Sequence, residues 1–538
     1  MRIKKILYLL TMFQVFGLHS QEFDWANSIT GGEHEYGVKA IKNSLGETYF
    51  IGHSTGNPFV YEGIEYYTNG RSDAFFAKLD SDKNLVWLKK IGGDDINYFD
   101  DALDIHIDPF GDVYLAIQSV GQNFMYDGQL LSGVEASGQG GGEGVIIKVN
   151  SDGEYIWHES GTTPTGDNNS FQGITTDSDG NLYIVGNFRR SVRLGGTITL
   201  TNPSTGSTQD MLIAKYQADG TIIWAKRAGG TPHNTFAGGR DIEIHPQTNE
   251  IIVLGRSNGP VYYDGELSPA YNSNDDEGII LLSYDTEGTQ NWVKQILELP
   301  SNFATYGTSL DISSEGVIGI CGYKNSGVGL VGFYNSNGSV ITEHEHPSTD
   351  GVRIFSISFN EFNEAYLSGW TDTGAVIGIA PATVTISSDT GFIVKLDVFQ
   401  QVKWISEFTA SYFRNSISYF DGKLTYAGRI DDNFTYNDGQ NIITHDRGDG
   451  LFAEMTDTEL LSKETFSDDD IVVYPNPTAD IFRVKSNTVE NIEIYNINGV
   501  LLKTTNKKEI DLSQHSKGIY LAKITTDKGT AIKKIILK

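Results

Sequence analysis

One cysteine, Cys321, stands among 538 residues. A single thiol excludes an intrachain disulfide framework and a cysteine-built zinc knuckle. Proline is scarce at 13 residues, so neither a collagenous nor a proline-rich disordered chain fits. Long hydrophobic runs are lacking too. The one apolar stretch, Ile6–Leu18, is too short to span a bilayer. Basic charge is rare over most of the chain. Of 40 Lys and Arg and 69 Asp and Glu, residues 1–20 take three basic ones, and residues 471–538 take 11 basic and 6 acidic. The body, 21–470, keeps 26 basic against 63 acidic residues, a net charge of −37. That surface repels phosphate backbones, which disfavours nucleic acid and anionic membranes and leaves cations and uncharged glycans.

Glycine and aromatics are abundant: 60 Gly, 27 Tyr and 27 Phe. With so little proline, this composition points to strands joined by tight turns. The ends read separately. Arg2, Lys4 and Lys5 precede the apolar run, and Ser20 is a small residue before a cleavage point. Residues 1–20 therefore read as a secretory signal peptide. A mature protein beginning near Gln21, without a transmembrane segment, is expected to be exported and monomeric.

The middle is internally repetitive. Trp25, Trp87, Trp157, Trp224, Trp292 and Trp404 each open a similar phrase, with spacings of 62, 70, 67, 68 and 112. Ile341 stands at the Trp position inside the long gap. Before each Trp comes an alternating apolar strand, a turn such as Asp177-Ser178-Asp179-Gly180-Asn181, a second strand ending near Gly, a variable stretch, and a third strand. Seven such units occur. A four-stranded antiparallel sheet cannot bury both apolar faces alone, so seven are expected to pack around an axis. Residues 21–466 are read as a seven-bladed β-propeller, in which Phe23–Ser28 completes the last blade and closes the circle. The Asp-Gly-Asn turn, the Tyr-x-x-Gly strand, and the Asp-aromatic-x-x-Lys strand before Trp resemble the SBBP family of bacterial seven-bladed propeller repeats. That resemblance implies a fold and little about activity.

Residues 467–470 form an acidic linker. Residues 471–538 are again strand-patterned but do not match the repeat, and fit a small immunoglobulin-like β-sandwich. Tyr474-Pro475-Asn476-Pro477, a hairpin at Asn498-Gly499, Gly518-Ile519-Tyr520 and the basic ending resemble the type A C-terminal sorting domain of the type IX secretion system. The resemblance implies the type IX machinery as partner and a secreted or outer-surface location in a Gram-negative bacterium.

Chemistry is harder to find. Two G-x-S-x-G stretches, around Ser54 and Ser257, lack the strand-turn-helix context of a nucleophile and fall at one repeat position. Glu343-His344-Glu345-His346 puts both His on one strand face without a further metal ligand. The acids before each third strand (Asp73, Glu143, Asp210, Glu277, Asp389 and Asp449) read as turn caps, with Ca²⁺ as the alternative cofactor. No catalytic or cofactor residue is assigned. The long second-to-third-strand connections emerge on one face with the connections between units, so loop diversity gathers there. Four of them repeat an aromatic phrase, making Tyr61, Tyr126, Tyr263 and Tyr436 candidate ligand contacts, or else packing groups of extra hairpins. The expected function is binding of an extracellular protein or glycan on that face. The alternatives are a glycan-active enzyme with loop carboxylates and a calcium-stabilised adhesin.

Overall fold

Asp177 shows why the chain keeps folding back. Its carboxylate accepts the backbone N–H groups of Asp179 (3.1 Å) and Asn181 (2.8 Å), and Gly180 supplies the left-handed φ of 78° that completes the turn. Asn43, Asp108 and Asn360 repeat the device between other strand pairs. The run at 177–181 is therefore a hairpin turn whose carboxylate binds its own backbone.

The structure is a computed structural model that describes residues 22–457 and 471–538, apart from 32–33, 95–98, 121, 135–141, 164–166, 204–207, 231–235, 260, 264–265, 268–277, 297–304, 325–326, 347–350, 380–381, 386–389, 399, 409–414, 431–433, 438–441, 446–447, 487–488, 497–500 and 527–528. The signal peptide (1–20) and linker (467–470) expected from the sequence lie outside these residues. The fold is all-β, with no helix among the described residues.

Up to residue 457 the chain builds seven antiparallel sheets of four principal strands, here sheets 1 to 7. Their innermost strands are Glu35–Lys42, Asp101–Ile107, Asn169–Thr176, Ala237–Ile244, Thr305–Ile312, Val352–Phe359 and Ser416–Phe420. Each touches the innermost strand of the next sheet, and the seventh touches the first, so the contacts form a closed cycle. The second and third strands of each sheet are almost wholly buried, because neighbouring sheets cover both faces. The outer strand of sheet 7 is Trp25–Ile29, paired antiparallel with Gly450–Thr456. The N-terminal strand thus completes the last sheet, as its position before the first repeat implied.

In sheets 2 and 3 the recurrent Trp, Lys and Tyr join the sheet to the next. In sheet 2, Trp157 Nε1 and Lys148 Nζ both donate to the Ala218 carbonyl in a turn of sheet 3, at 3.0 and 3.3 Å. In sheet 3, Trp224 Nε1 and Lys215 Nζ meet the Thr286 carbonyl of sheet 4 in the same way, at 3.1 and 3.2 Å. Each Lys lies over the ring of a second-strand Tyr: Lys148 over Tyr114 at 4.9 Å and Lys215 over Tyr183 at 5.0 Å. The indole packs against a turn glycine, and a Cβ on Gly220 would sit 3.0 Å from the Trp157 ring. Sheet 7 has no such turn, because its outer strand arrives from the N-terminus. There Asp457 takes the turn's place, accepting Lys395 Nζ at 2.6 Å and the Tyr366 hydroxyl.

The long connections form hairpins, as the repeated aromatic phrase suggested. The hairpin Met125–Tyr126 with Gln129–Leu130 pairs with the outer strand of sheet 1, and Tyr262–Tyr263 with Glu266–Leu267 pairs with that of sheet 3. Single bridges, Thr30 with Val60 and Thr162 with Arg193, do the same for sheets 7 and 2. Each hairpin therefore covers the open edge of the preceding sheet. This corrects the candidate ligand face. Tyr61 and Tyr126 are buried with Phe59 and Phe124, and the Tyr126 hydroxyl donates to the Gly153 carbonyl at 2.8 Å. The side chains of Tyr263 and Tyr436 lie outside the described residues.

Residues 471–538 form two further antiparallel sheets around one apolar cluster that includes Phe482, Ile494, Ile510, Tyr520 and Ile535. Asn476 fastens the last strand: Nδ2 donates to the Lys534 carbonyl at 2.5 Å and Oδ1 accepts the Ile536 N–H at 2.8 Å. Tyr520 is buried, whereas Tyr474 and Ile519 are exposed. Gly518 opens the strand Gly518–Thr526. The Asn498-Gly499 turn lies outside the described residues.

The closing strand yields a stability prediction. Ile29 is fully buried, so Ile29→Ala is expected to lower unfolding free energy by about 2–5 kcal/mol. Ile64→Ala, at a half-exposed hairpin position, should stay within about 0.5 kcal/mol. Urea unfolding of both variants checks this; equal losses would show that strand 25–29 does not hold the sheets together.

Candidate ligand-binding cleft

The second strands of the seven sheets align through their pairing registers. One position near the loop-side end holds Gly52, Ile117, Gly186, Gly255, Gly322, Gly369 and Gly428, and the next holds His53, Gln118, Asn187, Arg256, Tyr323, Trp370 and Arg429. Glycine holds the first position in six of the seven sheets, and in five of them close backbone approach accounts for it. A Cβ on Gly52 would meet the Tyr36 carbonyl at 2.1 Å, and those on Gly186, Gly255, Gly322 and Gly369 would likewise meet carbonyl oxygens. The fold places no such demand on its neighbour, which is polar or aromatic in every sheet and never aliphatic. Polar and aromatic variation at a register position on the loop-side end suits a ligand site carried on a repeated scaffold.

Part of this circle opens into a cleft of about 370 Å³. It is lined by His34, Tyr36, His53 and Thr55 of sheet 1, by Phe99, Asp101, Gln118 and Val120 of sheet 2, and by Gly142 and Asn168 beside sheet 3. The Tyr36 and His53 rings lie 4.7 Å apart. His53 Nε2 stands 3.8 Å from Asp101 Oδ1, and Nδ1 has no hydrogen-bond partner among the described residues. Burial pushes the His53 imidazole down and Asp101 pulls it only partly back, so the ring is neutral near pH 7. Gln118 Nε2 donates to Asn168 Oδ1 at 3.2 Å. Arg429 lies over Tyr36 at 5.0 Å, donates to its hydroxyl at 3.1 Å, and stands 2.9 Å from His34 Nδ1. Phe99 is partly exposed, with the Arg71 guanidinium 4.6 Å from its ring. The cleft combines aromatic faces with planar hydrogen-bonding groups. A second cleft, between the outer strand of sheet 2 and the next hairpin, is a packing seam: His158, Glu159 and Ser160 there bond the adjacent backbone.

The innermost strands carry carboxylates directed along the cycle. Asp104 accepts Lys39 Nζ at 2.6 Å and the Ile174 N–H of sheet 3 at 2.9 Å. Asp241 accepts the Leu310 N–H at 2.8 Å, and Asp311 the Phe359 N–H at 2.7 Å. These groups keep some water contact yet are enclosed by protein on all sides, and enclosure raises the Asp241 carboxyl to about 7 and that of Asp311 to about 6. Against the cost of burial, Asp104 and Asp241 hold Lys39 above its usual range.

Asp73 and Asp210, two of the acids before the third strands, have partners within the protein. Asp73 accepts the Asn69 and Gly70 N–H groups at 2.6 and 3.1 Å, as a turn cap does. Asp210 pairs with Arg227. Glu277 and Asp389 lie outside the described residues. Ser54 Oγ donates to Glu35 at 3.2 Å and accepts the Gly56 N–H, and Ser257 Oγ donates to the Gly259 carbonyl at 2.8 Å. Both serines tie down their loops. His344 contacts Thr342 and Gln400, Glu345 accepts Lys324 at 3.0 Å, and His346 is buried. The described residues contain no group of three metal-ligating side chains.

Sequence reading missed the cleft because each repeat contributes few residues to it, some 65 positions apart. Stacking the seven second strands and asking which position varies without turning aliphatic would have found it.

Residues 472–538 match the family described as the secretion system C-terminal sorting domain. This domain marks proteins exported through the type IX system, so the chain is a secreted or surface-attached protein that engages that machinery. No protein of curated function matches the chain. Two solved structures resemble it in part. A protein of unknown function from Bacteroides caccae shares 11% identity over 62% of this chain and 89% of its own, with a TM-score of 0.33. One from Dyadobacter fermentans shares 9% over 66% and 94%, with a TM-score of 0.37.

The enclosed acids set a pH dependence. Burial raises Glu35 and Asp241 to about 7, and Asp73, Asp210 and Asp311 to about 6. The folded chain therefore holds protons that the unfolded chain has lost, and this stabilisation disappears as pH rises through 6–7. Two sets of groups act oppositely. Glu364, lowered to about 2 by Lys395 and Lys403 against the cost of burial, does so below its unfolded value of about 4.3. His53, His106, His344 and His346, whose imidazoles burial lowers, do so below about 6.5. They offset part of the fall without matching the number of raised carboxyls. The melting temperature is expected to fall between pH 5 and pH 7 and to level off above, the fall being smaller in Glu35→Gln. Scanning calorimetry across that range would refute this by showing a rise.

Proposed function

We propose that this chain is an exported seven-bladed β-propeller that binds carbohydrate at the loop-side end of its axis. In this reading, residues 21–466 are the propeller, built from SBBP-like repeats. Residues 1–20 are its signal peptide, and 471–538 a sorting domain of immunoglobulin-like sandwich form. The closed cycle of inner-strand contacts and the N-terminal strand in sheet 7 support the architecture.

The observation that carries the ligand reading is the cleft's composition. Tyr36 and Phe99 offer aromatic faces, and His53, Asp101, Gln118 and Asn168 offer planar donors and acceptors, within about 370 Å³. Sugar rings need both: an apolar face to stack and directed hydrogen bonds to hydroxyls. The volume lies at the small end of ligand pockets, about 300–1,000 Å³. A protein partner would need a broad contact of at least about 1,000 Å² with an apolar centre. Glycoside cleavage would need two carboxyl groups flanking the scissile bond. Asp101 is the one carboxylate among the described residues that line the cleft.

Two outcomes follow. Tyr36→Ala combined with His53→Ala is expected to weaken binding of the glycans found on an array by at least about tenfold, or roughly 1.4 kcal/mol, with folding retained. Unchanged binding would place the ligand elsewhere. Truncation after residue 470 is expected to leave a folded body inside the cell envelope, scored by fractionation and immunoblot. Normal surface display of the truncated chain would show that export does not need the tail.

A further inference from the structure

We propose that the carbohydrate carries an isolated acidic group, a carboxylate or a sulfate, on an otherwise neutral chain. This rests on the reading of the axial end as a glycan site. Away from the cleft, the same circle of residues changes character. Arg256 is held between the rings of Phe236 (4.6 Å) and Tyr306 (5.2 Å). Arg353 lies over Tyr323 at 5.5 Å, and Tyr323 lies 5.3 Å from Tyr306. Arg429, over Tyr36, joins this sector to the cleft. Arg256, Tyr323 and Arg429 share the variable register position, and Tyr306 and Arg353 pair directly with it. All these side chains are half-buried, and the three guanidiniums have further interactions within the protein.

Stacking on an aromatic ring fixes the plane of a guanidinium and directs its N–H edge, which suits bidentate recognition of carboxylate or sulfate. Interleaved Tyr faces offer platforms for the sugar rings between those groups. The location is informative because it opposes the rest of the body. With 63 acidic against 26 basic residues, the body repels polyanions at long range. Three arginines clustered at one end of such a body can attract one nearby anionic group while the overall field rejects a densely charged polymer. The two constraints together select a sparsely acidic glycan.

The bland alternative is that these stacks only staple neighbouring sheets, since Arg256, Arg353 and Arg429 each cross a sheet boundary. A glycan array with uronate-bearing and sulfated members beside their carboxyl-reduced and desulfated partners separates the two. The full chain is compared with Arg256→Gln/Arg353→Gln and with the charge-preserving Arg256→Lys/Arg353→Lys, and each variant's melting temperature is recorded. The acidic members are expected to bind at least about tenfold better than their neutral partners. Both double variants should erase that preference while staying folded, and polygalacturonate should not outcompete the sparsely acidic glycan. The paired members show whether carboxylate or sulfate is read. Equal binding of acidic and neutral partners, lost in Tyr36→Ala/His53→Ala, would keep the axial site and overturn the acidic assignment. A preference that survives in the glutamine variant would also overturn it. Binding to no glycan at all would overturn both readings.

Discussion

The innermost strands of neighbouring sheets share no hydrogen-bonded ladder, so side chains have to bridge every junction. Seven different bridges do this. Lys39 pairs with Asp104 between sheets 1 and 2, and Asp104 takes the Ile174 N–H between 2 and 3. Asn187 takes the Gly239 N–H between 3 and 4, and Asp241 and Asp311 serve the next two junctions. Ser356 takes the Ile417 N–H between 6 and 7. Thr425 returns to the Ala40 carbonyl of sheet 1 at 2.7 Å. A carboxylate receiving backbone N–H groups inside protein makes a stronger bond than a neutral acceptor would, and an unpaired one there would be costly. Position in the cycle therefore fixes these acids, and the raised carboxyls of Asp241 and Asp311 follow from enclosure; neither feature marks a residue as catalytic.

Farther from the axis the junctions use a different and more uniform device, the Trp–Lys–Tyr group closing on the next sheet's turn. It explains why that part of the repeat is so legible. A turn carbonyl with two donors, and a glycine under an indole, leave little freedom of residue type. Where the device is missing the sequence departs as well. Sheet 5 has Ile341 in place of Trp, and sheet 6 ends on a carboxylate because no turn follows it.

Strands, turns and sheet number could be read from the sequence because each depends on local chemistry: two-residue alternation, an Asp or Asn accepting its own backbone, a glycine at positive φ. The sorting domain was legible for a related reason, since Asn476 within its Tyr-Pro-Asn-Pro run fastens the final strand. The aromatic hairpins were legible as hairpins but not as edge covers. Tyr61 and Tyr126 recur because every sheet has the same outer edge to protect, and recurrence by itself cannot tell a packing ring from a binding ring. The cleft was invisible for the opposite reason. Its residues differ in every repeat, so no phrase marks them.

This contrast separates scaffold from site without any comparison outside the chain. The seven sheets are seven solutions to one packing problem, and a position on which they agree answers to that problem. Gly52 and four of its counterparts agree because a side chain would strike the neighbouring strand, and sheet 2, with Ile117 there, is the exception among the seven. Their successors are His, Gln, Asn, Arg, Tyr, Trp and Arg, all in the same register with the third strand. Packing cannot require six different residue types at one geometric position. Cross-sheet stapling could account for the arginines and tyrosines, which meet ring to guanidinium across a boundary. It does not account for His53, whose Nδ1 meets no partner among the described residues and whose ring lines the cleft. Other buried polar atoms, Ser119 Oγ and the Tyr216 hydroxyl among them, also lack a partner among the described residues, so His53 counts toward a site because its ring lines the cleft, where an arriving molecule can reach it.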